Sequence, residues 1–407
     1  MSWKEAWRPW YPIVVFVFYV LQGFYMTGLT VYTSVYVTDV FNLPPDNISL
    51  VYALLMSPTY LKMGIIWISD KFPIGRYGRR RPYMAISAIL FAISFGVLSL
   101  ISTYGLLWIG MVIISLLCWV MADGSLDGLT IDITPPDKMG LMQGMAWGGR
   151  ALGAALGGIT TAFISGLFGW TTTVLIIGAM ATLMSLSGVL IKEPKITKER
   201  LPNSVKLKAV VKKRETWLGI TYLFISWTVG ALSIIFGPFL LEYLNVDTVQ
   251  MGWCISLMNL GTFLGCIIMG KFSDIIGTRK ANYIANILAL GGVCLFSFGF
   301  LHSITWLFAF AIILGILTGP QNVAQLRLMM ELSPPEIGAT MFSIFASISN
   351  FSAAIGLMLI SLFTPFTGSF IAILFAMIPL TVVCNIILPF MKLYEPIKAK
   401  PTKKPSE

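Results

Sequence analysis

The chain has 407 residues, of which 57% are hydrophobic and only 11% charged. Soluble domains carry about 25% charged residues, so the composition excludes an ordinary soluble protein and points to repeated membrane crossing. The net charge of +10 would suggest a nucleic-acid partner on a soluble domain, but its placement in this chain excludes one, as the loops show.

A helix needs about 20 apolar residues to cross a bilayer. On that basis the sequence predicts twelve spans, at roughly 11–37, 49–69, 83–102, 106–133, 140–168, 171–191, 217–241, 249–270, 282–301, 304–331, 339–363 and 368–391. The runs are continuous rather than alternating, which fits helices and not barrel strands. Lys4 and Arg8 precede the first run. That run is too long for the apolar region of a cleavable signal and reads as a membrane helix.

All of the 28 Lys and Arg residues except Lys62, Arg150 and Arg327 fall in the N-terminus, the even-numbered loops or the tail after Met391. The other loops carry Asp39, Asp46, Glu242 and Asp247 but no cation. Basic loops stay on the cytoplasmic side, so both termini are expected in the cytoplasm of a multi-pass cell-membrane protein. The basic segment 192–216, with Pro194 and Pro202, reads as a linker between an N-terminal bundle (1–191) and a C-terminal bundle (217–391). Its Val205–Lys213 part could lie on the membrane surface as an amphipathic helix. Residues 392–407 read as a disordered tail.

The two halves repeat at an offset of 199. Thr134-Pro135-Pro136-Asp137 matches Ser333-Pro334-Pro335-Glu336, Asp132 falls on Glu331 and Asp123 on Asn322. After spans two and eight the chain reads Asp70…Gly78-Arg79-Arg80-Arg81 and Asp274…Gly277-Thr278-Arg279-Lys280. A carboxylate, a glycine turn and two cations can latch one bundle to another, because Gly permits the turn and Arg bridges carboxylates. Alternatively, the cations only set topology.

Several features carry no chemistry. Gly265 to Lys271 has P-loop spacing, but Phe272 replaces the required hydroxyl and the stretch lies in a span. Cys118, Cys254, Cys266, Cys294 and Cys384 all lie in apolar spans without metal-ligand spacing. His302 sits at a span end and reads as interfacial. No metal or cofactor is expected. Gly149, Gly153 and Gly157 form a line for close helix packing. The stripe Gln22, Tyr25, Leu29, Tyr32 and Tyr36 could stack a ring-shaped solute, or could be a packing face.

The duplicated loops after spans two and eight resemble those of the major facilitator superfamily. The resemblance implies an all-α membrane protein of twelve transmembrane helices in two six-helix pseudo-symmetric bundles. Within the first half, Pro58 to Lys62, Trp67, Asp70, Gly78 to Arg81, and Asp123, Asp127, Asp132, Pro135, Gly140 and Arg150 resemble the muropeptide permease/acetyl-coenzyme A transporter family. Arg76 to Tyr83 is also similar to the sucrose/glycoside:cation symporter branch.

At 1.5 Å rise per residue, Lys62, Asp123, Asp127 and Arg150 lie ~10–16 Å in from their basic helix ends, in one layer. Ionisable groups at that depth persist when paired or used. Two cations and two carboxylates balance, which lowers the cost of burial. A static salt-bridge network would explain them. A functional reading makes them a substrate and proton site, in which Lys62 and Arg150 hold an anionic solute and Asp123 or Asp127 carries the proton. Gln321, Asn322 and Gln325 are expected to supply neutral hydrogen bonds from the second half, while Arg327 and Glu331 could pair with each other. The cytoplasmic gate is expected from Asp70, Arg79, Arg80, Asp132, Asp274, Arg279 and Glu331. The expected protein is a monomeric secondary active transporter of a small organic, possibly anionic, solute. It would be coupled to an ion, with protons favoured over sodium. The partners are the solute, the ion and the lipid bilayer, with no nucleic acid. The alternative is a non-transporting sensor or assembly factor of the same fold. A membrane enzyme lacks support, because the chain offers no nucleophile–base pair.

Overall fold

The computed structural model describes residues 6–37, 40–41, 57–60, 62–74, 78–194, 209–230, 248–297, 304–334, 337–367 and 370–393. Asp39, Asp46, Glu242, Asp247, His302, Pro335, Glu336, residues 195–208 of the linker and the tail from 394 lie outside them, as does the side chain of Asp70.

Helix α1 is Tyr11–Val31 and widens into a π turn over Tyr32–Tyr36. The second span is described in two pieces, α2 (Ser57–Tyr60) and α3 (Lys62–Lys71). There follow α4 (Arg81–Leu98), α5 (Leu106–Ile133), a 3₁₀ turn at Pro136–Lys138 and α6 (Met139–Val189). The second half contains α7 (Arg214–Gly230), α8 (Thr248–Ile276), α9 (Thr278–Ser297), α10 (Ile304–Glu331), α11 (Gly338–Thr367) and α12 (Phe370–Ile387). The described residues contain no strand. Each of the twelve expected spans coincides with helix over at least part of its length, and α5 and α10 have the expected bounds.

Seven helical runs among the described residues are long and apolar enough to cross a membrane, by length and composition. One of them, Pro136–Val189, is 54 residues long, more than twice what a span needs. Gly169, at φ 77°, breaks it, so spans five and six follow one another without a loop. Large apolar side chains such as Ile89, Leu106, Phe163 and Ile268 point outward. Lipid replaces water around them, so the polar groups turn inward.

Association inside lipid depends on close packing, which small residues permit. The expected glycine line does this. A methyl group at Gly153 would overlap the Val20 carbonyl oxygen, and one at Gly149 would sit 2.6 Å from the Phe16 carbonyl oxygen. Helices α1 and α6 therefore touch backbone to backbone. In the second half, Gly261 and Gly315 hold α8 against α10 in the same way. The stripe on α1 is a packing face: Tyr25 packs edge-on against Phe91 and Phe95, and Tyr32 accepts a 2.9 Å hydrogen bond from Trp108. Its reading as a stacking platform for solute gains nothing from these contacts.

The halves meet where α6 crosses α8 and where α11 crosses α3 and α5. A methyl at Gly144 would lie 2.7 Å from the Gly270 Cα, and one at Gly338 would lie 2.9 Å from the Ile131 side chain. These positions are all at the helix ends that carry the basic loops, so the structure is closed at that end.

Candidate functional site

The charged layer is assembled largely as expected. Lys62 on α3 and Asp123 and Asp127 on α5 are buried, at 5%, 4% and 6% exposure. The two aspartates are i,i+4 and share one face of α5, which α3 meets with its lysine. Lys62 Nζ lies 2.6 Å from Asp123 Oδ2 and 3.0 Å from Asp127 Oδ2. The remaining two carboxylate oxygens are taken by α1. Gln22 Nε2 donates to Asp123 Oδ1 at 2.6 Å, and the Tyr19 hydroxyl donates to Asp127 Oδ1 at 2.5 Å. All four oxygens are thus hydrogen-bonded, the condition under which a buried ion set is tolerated.

Arg150 is placed differently from its partners in the layer. It stands on α6, half-buried, with its guanidinium 4.9 Å from the centre of the Trp147 ring. Among the described residues no carboxylate is ion-paired with it. It shares with Tyr19, Lys62, Asp123 and Asp127 a cavity that the second half closes through Trp227, Leu326, Met329 and Phe342. The cavity measures about 80 Å³, against about 300–1,000 Å³ for a typical small-molecule site. Polar and apolar surface line it about equally.

Sequence reasoning missed Tyr19, Trp119, Trp147 and Trp227 as cavity residues, because aromatic residues in an apolar span carry no distinguishing signal, and it missed Gln143, an amide in an apolar span. Gln22 had a signal, a buried amide beside a tyrosine stripe, but no partner could be assigned to it.

The structure does not bring Gln321, Asn322 and Gln325 to this cavity. Gln325 donates to Ser226 Oγ, and Gln321 donates to the same oxygen at 3.1 Å and to Asn286 Oδ1 at 3.4 Å. They belong to a neutral network inside the second half, in which the Tyr222 hydroxyl donates to Asn282 Oδ1 at 2.9 Å and Asn286 Nδ2 to Asn385 Oδ1 at 2.9 Å. The rotation of α10 decides this: the face carrying Leu326 and Met329 meets the cavity, while the glutamines face α7 and α9.

At the basic end, Gly78 and Gly277 sit 199 residues apart and both have positive φ, at 107° and 82°, which only glycine adopts at little cost. The turns therefore repeat in three dimensions, but their contacts diverge. Arg79 Nη2 reaches both oxygens of Asp132 at 3.1 and 3.0 Å, and Arg80 Nε reaches Oδ2 at 2.8 Å. The backbone amides of Arg79 and Arg80 donate to Glu193 at 3.0 and 3.1 Å. These contacts lie within the first half and the start of the linker. Asp274 instead crosses between halves. It accepts from the Gly140 and Leu141 amides at 2.7 and 2.8 Å and from Arg327 Nη1. A carboxylate at the N-terminus of α6 also meets the positive end of the helix dipole. Arg327 and Glu331 both bond the Thr278 hydroxyl, which donates to Glu331 and accepts from Arg327 at 2.9 Å. Arg279 Nη2 donates to the Met391 carbonyl at 2.7 Å.

Two structures resemble this chain over most of its length. A Major Facilitator Superfamily transporter, FucP, in the outward conformation aligns with TM-score 0.71 and 12% identity, over 94% of this chain and 99% of that one. A bacterial homologue of the iron transporter ferroportin, in an outward-facing state, aligns with TM-score 0.66 and 13% identity, over 93% and 98%. At such identities the likeness concerns the fold. A D-xylose transporter of Levilactobacillus brevis is 30% identical over 107 residues, which span 26% of this chain and 23% of that protein. The family model of the Major Facilitator Superfamily matches residues 15–237 and 218–407. The match covers nearly the whole chain, so this multi-pass membrane protein is a transporter and not an enzyme, and it belongs to the Major Facilitator Superfamily.

Proposed function

We propose that the chain is a secondary active transporter that moves a small organic anion together with a proton by alternating access. The observation that supports this most is the buried Lys62–Asp123–Asp127 set on the wall of a cavity bounded by both halves. Ionisable groups inside a membrane mark pathways, and transporters of this architecture bind near the midplane between repeats. With Arg150 the layer sums to zero charge. An anion arriving at Arg150 adds one negative charge, and a proton on Asp123 or Asp127 restores neutrality before the cavity changes sides. Lys62 would then release one carboxylate and help hold the solute.

The gate would comprise Asp274 and its clasp on α6, the Arg79–Arg80–Asp132 brace, and Asp70, Arg279 and Glu331. The positive-inside pattern supports placing this gate, both termini and the 192–216 linker in the cytoplasm, with bundles at 1–191 and 217–391 and a tail from 392. Closure at the basic end supports an outward-facing or occluded state here.

A neutral sugar is a second reading, favoured by the match to the D-xylose transporter. Purified protein in vesicles holding a pH-sensitive dye tests the proposal. Adding a transported acid outside should acidify the lumen, whereas solute entry without proton movement would overturn the coupling.

A further inference from the structure

Lys62 serves its two aspartates unequally. Its Nζ lies 2.6 Å from Asp123 Oδ2 and 3.0 Å from Asp127 Oδ2. The partners of the other two oxygens differ in kind. Asp123 Oδ1 accepts from the amide nitrogen of Gln22 at 2.6 Å, and an amide nitrogen can only donate. Asp127 Oδ1 accepts from the Tyr19 hydroxyl at 2.5 Å, and a hydroxyl donates or accepts as its hydrogen turns. Tyr19 borders the central cavity together with Asp127, whereas Gln22 is fully buried and is not part of the cavity wall. The charged groups around Asp127 are Lys62 on α3, Asp123 on α5 and Arg150 on α6, and the second half adds no charged residue to the wall.

We infer that Asp127 carries the coupling proton, that Tyr19 is the positioning residue that accommodates it, and that Asp123 stays ionised as the fixed counter-ion of Lys62. The inference rests on the proton-coupling reading above and names the carrier within it. Both Oδ2 atoms face an ammonium that only donates, so an added proton goes onto an Oδ1. On Asp123 that proton would meet the Gln22 N–H head on. Flipping the amide would turn its nitrogen to the position where Gln22 Oε1 now finds no partner among the described residues. On Asp127 an O–H bond forms at Oδ1 with a proton from the water of the open side, the carboxylate charge falls to zero, and the Tyr19 hydroxyl reverses. Its oxygen accepts from the new O–H. Its own hydrogen turns towards the cavity, whose volume of about 80 Å³ exceeds the roughly 10–15 Å³ that one water needs. Lys62 and Asp123 remain as a balanced pair at the shorter distance, the condition under which buried charge is tolerated.

Infrared difference spectra of the purified full chain, in neutral against acidic buffer, test this without any solute. Among the carboxylic-acid carbonyl bands that appear, one should be absent from Asp127→Asn and present in Asp123→Asn. A tyrosine C–O signal, identified with isotope-labelled tyrosine, should accompany that band, because reversal turns the hydroxyl from donor to acceptor. Tyr19→Phe keeps the ring and should move the Asp127 band to higher frequency, since the new O–H loses its acceptor. A hydroxyl that only braced the carboxylate would leave the band in place. Unchanged melting temperature and gel-filtration profile identify the folded variants, and the tyrosine signal is read on the parent if Tyr19→Phe fails to fold. No band lost in Asp127→Asn, the band lost in Asp123→Asn, no tyrosine signal, or an unmoved band in folded Tyr19→Phe would overturn the assignment. Vesicles holding a pH-sensitive dye separate it from the coupling reading, with lactate, gluconate and D-xylose added outside and protein-free vesicles as the baseline. Lumen acidification that persists in Asp127→Asn sinks the assignment and spares coupling. The Asp127 band without acidification by any of the three sinks coupling and spares Asp127 as the protonated group.

Discussion

The two halves share a chain path and an offset but use their polar residues in opposite ways. In the first half the buried polar set is charged, faces the central cavity and joins α1, α3 and α5. In the second a neutral network turns away from the cavity and ties α7, α9, α10 and α12 together, while its buried ion pair, Arg327 with Asp274, sits at the basic end. The loops reverse the roles. In the first half, Arg79 and Arg80 brace Asp132 of their own bundle and Glu193 at the start of the linker, whereas Asp274 in the second half clasps α6 of the other. A guanidinium fills the same place in both halves, supplied by Arg80 beside Gly128 and, 199 residues on, by the side chain of Arg327 itself. Duplication has kept a shape here while dividing the chemistry: the first half holds the charge layer, and Asp274 of the second clasps α6 of the first.

The sharpest way to break this comparison is to remove the cation of the first half. Lys62→Ala strands two buried carboxylates and should destabilise the protein by about 3–5 kcal/mol, read as a lower melting temperature in detergent. Adding Asp123→Asn and Asp127→Asn should recover much of that loss, because no uncompensated charge remains.

The glycine contacts test which contacts build a bundle and which join two. Gly153→Ala pushes α1 from α6 and should cost about 1–3 kcal/mol of stability as overpacking. Gly144→Ala strains only the contact between halves. It should change the melting temperature less and raise maleimide labelling of a cysteine at Gln143 from the basic face.

Clasp and brace can be separated next. Asp274→Ala loses two amide hydrogen bonds, an arginine partner and a helix-dipole contact, the last worth up to about 2 kcal/mol. It should open the basic end more than Arg79→Ala does. Equal opening by both would mean that the two loops serve one gate. The smallest effect is expected in the neutral network. Asn286→Ala should cost about 0.6 kcal/mol for each interhelical hydrogen bond it loses, to Tyr222, Asn385 and Gln321, and should leave proton coupling intact.

Much of this was legible in the sequence. Helix bounds such as 106–133 and 304–331 follow from apolar run length, and the layer of Lys62, Asp123, Asp127 and Arg150 follows from rise per residue. Helix rotation was not legible. In an all-apolar span, periodicity does not reveal which face meets the cavity, so Gln321 and Gln325 were expected there and Tyr19 and Trp227 were not. Nor could spacing show that Arg150 stacks on Trp147 while Lys62 takes both aspartates, because depth fixes a layer but not the pairing within it. The duplicated loops signalled a latch, but not that Asp274 crosses to Gly140 and Leu141 while the described bonds of Asp132 stay within its own half.

The central claim is that the carboxylates of the first half carry the coupling proton. It is tested most directly by accumulation of a transported acid in vesicles under an imposed pH gradient, for the parent protein, Asp123→Asn and Asp127→Asn. We expect at least one variant to lose accumulation while keeping exchange of labelled for unlabelled solute, which needs no net proton movement. If both variants accumulate solute against its gradient as the parent does, the cluster is structural and the coupling lies elsewhere.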